Sequence, residues 1–228
     1  MASHRLDETI AQLQLLFAPD LRRTTILVWL IWALVSLGFT MFNSFLPKML
    51  ELHGQGASSS SSSSGDGDGE TLAVGMDRSK VYRDALLYAL SGIPGSIIGS
   101  WAVDTMLGRR YSMALATFGS AICLWVFSRT QSSWGVLVSS AMFGLVSALM
   151  YAIVYSYTPE VFSPAVRGTG CGVASALSRV AGIIAPLLAG LLIAWSLVSV
   201  LYASMAILVV AGICMVLLPI ETAKHDAL

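Results

Sequence analysis

The sequence predicts an all-α membrane protein with six transmembrane helices, on three observations. Hydrophobic residues make up 56% of the chain and charged ones only 11%, with a mean hydropathy of +0.75. Soluble globular proteins carry about 25% charged residues, so a chain this poor in charge needs lipid as the solvent for much of its surface. Six apolar runs are each long enough to cross a bilayer core, which takes roughly 20 residues. None shows the two-residue alternation of a strand, and a backbone in lipid must satisfy its hydrogen bonds within its own segment or in a closed barrel.

The first run, Thr25–Met49, follows a polar, mildly amphipathic stretch that lacks the form of a cleavable signal peptide. The second, Ala85–Val103, comes after the longest connection, residues 50–84, which holds the serine run Ser58–Ser64 and then alternating glycines and acids up to Glu70. Such a composition cannot bury a core and is expected to be a disordered loop. The remaining runs, Tyr111–Phe127, Trp134–Tyr157, Thr169–Ala194 and Val198–Leu218, are joined by short loops, so consecutive helices are expected to be antiparallel neighbours. Residues 1–24 and 219–228 flank this bundle as polar segments.

Basic residues outside the runs suggest orientation. Arg5, Arg22, Arg23, Arg109, Arg110, Arg167 and Lys224 fall on one side; Lys48, Arg78, Lys80, Arg83 and Arg129 fall on the other. The pairs Arg22–Arg23 and Arg109–Arg110 abut helix ends, where the positive-inside rule acts most strongly. Both termini are therefore expected in the cytoplasm and the serine-rich loop outside, with the plasma membrane as the expected location. Net charge is zero and no basic block exists, which argues against nucleic acid as a partner. Cys123, Cys171 and Cys214 sit inside apolar runs and read as small buried hydrophobes, with no disulfide or metal framework.

Three motifs lie on the predicted cytoplasmic side. After span two come Asp104, Gly108, Arg109 and Arg110; after span four, Pro159, Glu160, Pro164, Arg167 and Gly168; after span six, Pro219, Glu221 and Lys224. In this order and between these spans, they resemble the major facilitator superfamily, in particular the branch of sugar porters, organic ion transporters and synaptic-vesicle-protein-like transporters. The resemblance covers nearly the whole chain, and residues 9–24 look like the linker before the seventh helix of such proteins. It implies the C-terminal half of a twelve-helix fold, built as two three-helix repeats of inverted topology around a site near the midplane. It also implies that Asp104, Gly108, Arg109, Arg110, Glu160 and Arg167 close a cytoplasmic gate; Asp104, at a helix end, is placed either to pair with Arg109 or Arg110 or to face a neighbouring helix N-terminus. The alternative is that these are ordinary interfacial charges fixing topology.

Within the spans, Arg179 is the one ionisable residue at mid-membrane. An arginine at a helix centre costs about 2.5–3.5 kcal/mol on insertion scales, so it should face a partner or a water-filled cavity. Gly172, Ser175, Arg179, Gly182 and Pro186 share a stripe that is small and polar. Trp32, Ser36, Thr40 and Asn43 in span one form a second candidate lining, and Ser140, Gly144, Ser147, Tyr151 and Tyr155 in span four a third. Of these, Arg179, Asn43, Tyr151, Ser175, Trp32 and Tyr155 are the expected substrate contacts; close helix packing is the competing explanation for the small residues. Organic anion transporters are similar around span five and carry an arginine there, which implies an anionic solute. Span one lacks the paired glutamines of sugar porters, which argues against a hexose.

Other chemistries find little support. Gly65, Asp66, Gly67 and Asp68 match the pattern of intramembrane aspartyl proteases, but they fall in a loop rather than at membrane depth. Thr71 stands where a calcium loop needs glycine. No phosphate-binding loop, nucleophile elbow or metal-ligand cluster appears, so neither an enzyme nor a cofactor is expected. The expected activity is gradient-driven or facilitative transport of a small organic solute, by symport or uniport. Six spans supply half the expected cavity, so the chain is expected to be a truncated or C-terminal half that works with a missing N-terminal half or a second copy. The alternative is a non-transporting six-span regulator or dimer.

Overall fold

The computed structural model describes residues 16–17, 19–58, 69–103, 108–130 and 132–219. They form six helices: α1 Pro19–Ser58, α2 Gly69–Val103, α3 Arg109–Arg129, α4 Ser133–Val161, α5 Arg167–Ile193 and α6 Leu197–Val216. Each contains a stretch long and apolar enough to cross a membrane.

Helix limits differ from the hydropathic ones in an instructive way. The segment 50–84, expected as loop, is helical at both ends: α1 runs on to Ser58 and α2 begins at Gly69. Lys48, Met49, Leu50, Glu51 and Leu52 are all good helix formers, and a helix needs no lipid to continue. Hydropathy marks the bilayer portion, Leu21–Pro47 for α1 and Tyr82–Ala102 for α2, and not the end of the helix. Positions 59–68, with most of the serine run, lie outside the described residues, as do 1–15, Asp104 and the tail from 220.

Neighbour relations reveal an internal two-fold. α2 packs on α4 as α5 packs on α1; α3 packs on α4 as α6 packs on α1; and α3 and α6 pack on each other. Exchanging α1–α3 with α4–α6 leaves this pattern unchanged, and antiparallel succession makes the two triplets inverted. Such a repeat is common in transporter folds.

Between α2 and α4 the contact is made by small residues. A Cβ placed on Gly99 would come within 2.9 Å of the Leu149 carbonyl oxygen, and one on Gly144 within 2.9 Å of the Tyr88 carbonyl oxygen. On Gly95 it would run into the carbonyl of Leu145. Lipid tails are as apolar as leucine, so helices in a membrane associate through close van der Waals contact, and glycine lets backbones approach. α5 does the same on α1 with alanines: Ala174, Ala181, Ala185 and Ala189 form its buried face.

Burial is uneven. Only 11% of the spanning window of α2 and 17% of that of α5 is buried, against 44–50% for the other four helices. α2 and α5 therefore form one open side of the bundle, and α3 and α6 pack together away from it.

Gly95→Leu should force α2 off α4. Overpacking of this kind costs about 1–3 kcal/mol, to be read as a lower Tm of the purified chain in detergent. Gly190→Ala, at a helical position with nothing within 4 Å of the new Cβ, should leave Tm unchanged or raise it, since alanine favours the helix over glycine.

Candidate functional site: a charged helix-end cluster and a polar mid-membrane face

Two sets of predicted residues come together, one at the end of the bundle and one at mid-depth. At the end, α3 starts at Gly108, whose φ of 79° lies in the left-handed region that glycine adopts freely. The Gly108 carbonyl accepts from the Ser112 hydroxyl at 2.9 Å, which holds the first turn. This launches Arg109 and Arg110 in two directions. Arg109 forms an ion pair with Glu160 in the last turn of α4. Arg110 donates to the carbonyl of Val216, the last residue of α6, and lies 5.3 Å from the Tyr111 ring centre. A cation at that position also meets the negative end of the α6 dipole. Together the two arginines tie the start of the third helix to the ends of the fourth and sixth.

Arg167 opens α5, exposed, with its Nε 3.4 Å from the Phe162 carbonyl oxygen. Glu160 and Arg167 flank the same turn in sequence, but the partner of Glu160 is Arg109, across from α3. Asp104, expected to pair with Arg109 or Arg110 or to face a helix N-terminus, lies outside the described residues.

Below this cluster, two tryptophans of α1 stitch the bundle. The Trp29 indole N–H donates to the Gly170 carbonyl at 3.1 Å, and that of Trp32 to the Thr158 hydroxyl at 2.9 Å. The chain ahead of α1 is drawn in as well: Leu16 is fully buried, its carbonyl accepts from Thr25 at 3.2 Å, and Phe17 meets Trp29 edge-on at 5.8 Å. Trp29, Thr158 and Gly170 are not among the substrate contacts or gate residues expected from the sequence. An indole donor in an apolar span needs an acceptor, and that requirement on Trp29 was the available clue.

At mid-depth, α1 and α5 run parallel, their register fixed by Trp29 with Gly170 and by Ser36, whose hydroxyl donates to the Ser178 carbonyl at 2.7 Å. The separations of 141 and 142 residues put Arg179 level with Leu37, since 179 − 142 = 37. Arg179 is exposed on α5 and has no hydrogen bond or ion pair among the described residues. Ser175 and Pro186, on the same stripe, are also exposed; Gly182 is half-buried, facing Ser36 and Thr40 of α1. On the α4 side of α1, Tyr151 meets Phe39 edge-on at 5.2 Å and Tyr155 meets Trp32 at 4.7 Å, with 6.3 Å between the tyrosine rings. Tyr155 is 62% exposed, whereas Trp32 is only 6% exposed and stands behind it. Asn43 is half-buried; its amide donates to the Phe39 carbonyl at 2.9 Å and interacts with the Tyr88 hydroxyl of α2.

The three predicted linings thus divide. Arg179, Ser175 and Tyr155 are open, Tyr151 and Asn43 half-open, and Trp32 is a buried support. In α4, Ser140 and Ser147 are buried and Gly144 is taken up by packing on α2. The described residues contain no group of three or more His, Cys, Asp or Glu placed to hold a metal.

The family model of the Major Facilitator Superfamily matches residues 28–228. The chain belongs to that superfamily. Its members are transporters rather than enzymes, and this chain is an integral, multi-pass membrane protein. It is 32% identical over 198 residues to an uncharacterised MFS-type transporter of Schizosaccharomyces pombe, covering 87% of this chain and 33% of that protein. It is 36% identical over 149 residues to the organic cation/carnitine transporter 7 of Arabidopsis thaliana, covering 64% of this chain and 29% of that one. The crystal structure of the human organic anion transporter MFSD10 (TETRAN) superposes with a TM-score of 0.67 at 22% identity, over 90% of this chain and 49% of that one. The chain spans about a third of the length of these curated relatives, and the MFSD10 likeness establishes the fold.

A double-mutant cycle on Arg109→Gln and Glu160→Gln should give a coupling of about 0.2–1 kcal/mol, the range for partly exposed ion pairs, and the coupling should shrink at high salt. Trp32→Phe should cost about 1 kcal/mol by leaving the Thr158 hydroxyl without its indole donor, measured as a drop in Tm.

Proposed function

We propose that these six helices act as the C-terminal half of a secondary transporter for a small organic anion, gradient-driven or facilitative, with α1, α4 and α5 lining the passage. The carrying observation is Arg179: a guanidinium at mid-membrane, exposed, without a partner among the described residues, and level with the aromatic residues of α1 and α4. A charge so costly to place in lipid is accounted for by an aqueous passage on that side. The low burial of α2 and α5 supports the same side as the seat of a second six-helix body, either an N-terminal half or another copy. In this reading Arg179 attracts the solute, Ser175 and Asn43 orient it, and Tyr151 and Tyr155 cover its apolar part while Trp32 holds Tyr155 in place. The printed names of the relatives, organic cation/carnitine in one case and organic anion in the other, point to opposite charges; Arg179 favours the anion.

The passage would open alternately to the two sides, with the Arg109–Glu160 pair, Arg110, Arg167, Asp104 and Gly108 closing the cytoplasmic one. Both termini would then be cytoplasmic and the protein would reside in the plasma membrane, with residues 59–68 outside. A cysteine placed at Ser62 should be labelled by an impermeant thiol reagent added to intact cells, and one at Arg167 only after permeabilisation.

The transport test is uptake of mono- and dicarboxylates into vesicles from cells expressing the chain in its native transcript. A charged hydrogen bond of about 1.5–3 kcal/mol predicts that Arg179→Gln lowers uptake roughly 10–100-fold, with Arg179→Lys retaining an intermediate rate. Uptake of anions untouched by Arg179→Gln would overturn the assignment. No uptake at all, joined to suppression of a full-length homologue when the two are co-expressed, would favour the regulatory six-span alternative.

A further inference from the structure

On the side of the bundle away from α2 and α5, helices α3 and α6 leave a groove between them. It is lined by Phe118, Ala121, Ile122 and Trp125 of α3 and by Met205 and Val209 of α6, and it encloses about 240 Å³. Every lining side chain is apolar, and both helices span the membrane. Ile122 is 62% and Trp125 48% exposed, so the trough is open along its length. One stripe of α3 carries the contacts, from Phe118 through Trp125, and the same stripe ends at Arg129.

Arg129 gives the groove a chemical mouth. α3 has 21 residues, Arg109–Arg129, or roughly 30 Å at 1.5 Å per residue, about the thickness of the hydrocarbon core. The guanidinium of Arg129 therefore stands at headgroup level, with Trp125 one turn deeper, where aromatic residues favour the interface. It lies 5.9 Å from the Trp125 ring centre, so it overhangs the trough. In the same turn the Thr130 hydroxyl donates to the Val126 carbonyl at 2.8 Å and the Thr130 N–H reaches the Val126 and Phe127 carbonyls, while the Ser128 hydroxyl is buried without a partner among the described residues. Arg129 has no hydrogen bond or ion pair among the described residues, and it retains its donors for a ligand.

We propose that the α3–α6 groove is a phospholipid site, one acyl chain lying along Phe118, Ile122 and Trp125 and the phosphate held by Arg129. A guanidinium binds a phosphodiester through paired, charge-assisted hydrogen bonds, which selects a phospholipid over a sterol, whose single hydroxyl offers no charge. The site is independent of the transport passage, because it sits on the α3–α6 side and shares no residue with the Arg179 face.

The test is native mass spectrometry of the purified full chain in detergent, with equimolar phosphatidylglycerol, phosphatidylcholine and cholesterol added. One phospholipid adduct should survive at an activation energy that strips the others. Arg129→Gln should lower its occupancy about tenfold, the effect of losing one charged hydrogen-bond set. Val209→Phe, which fills the trough and leaves the charge in place, should lower it comparably. Arg83→Gln, an exposed arginine at the same end of the bundle that pairs with Asp84, should not change it. Retention of cholesterol in place of phospholipid, no retained adduct in the wild type, or an equal loss in Arg83→Gln would each overturn the proposal. Tm and gel-filtration profiles of the variants identify any that fail to fold, and either of the two groove variants suffices for the decision.

Discussion

Hydrocarbon offers a peptide group no hydrogen bond, and everything else in this structure answers to that. Each span closes its backbone bonds within its own helix, and once this is done no hydrophobic force remains to bring one helix to another. Contact then has to come from closeness, which explains where the small residues fall. Gly95 and Gly99 on α2 meet the backbone of α4 at Leu145 and Leu149, Gly144 on α4 meets α2 at Tyr88, and the alanine row of α5 meets α1. The same shortage of partners governs the polar side chains. Ser112, Thr117, Ser120, Thr158 and Ser204 all return their hydroxyls to carbonyls of their own helices. Among the described residues, Trp29, Trp32 and Ser36 of α1 donate across to other helices and set register, and Thr117 of α3 also reaches the Met215 sulfur of α6.

Against that background the charged end of the bundle is a place where water returns. There the chain can afford ion pairs, and it uses them to join helices distant in sequence: α3 to α4 through Arg109 and Glu160, α3 to α6 through Arg110 and Val216. These links bridge the two inverted triplets at one end of the membrane. The mid-membrane face is different in kind. Its polar groups point out of the six-helix body, and the helices that carry least buried surface, α2 and α5, stand on that side.

Much of this was legible in the sequence because hydropathy and composition act residue by residue. The number of spans, their approximate limits and the motif order needed no knowledge of folding. Partner choice was less accessible. Glu160 and Arg167 are close in sequence, yet Glu160 pairs with Arg109, since a tight turn at Gly108 delivers α3 to the end of α4. Helical periodicity put Trp32 on a plausible lining with Asn43, but a wheel cannot tell which arc of a helix meets a neighbour, and Trp32 is enclosed by α4. The long extension of α1 to Ser58 was hidden for another reason: leaving the bilayer changes hydropathy without ending a helix.

The bonds from α1 to α5 have a mechanical meaning. Gly170 and Ser178 are both gripped by side chains of α1, so the first three turns of α5 are pinned to its neighbour. Pro186 lacks an N–H and leaves the Gly182 carbonyl without its helical donor, so stiffness falls just past the second grip. α5 is thereby held by hydrogen bonds over its first half and by the packing of small alanines over its second. Arg179 sits directly beside the second grip, and beyond it Pro186 and Leu187 are exposed while Ala185 and Ala189 stay buried in a cluster with Met41 of α1.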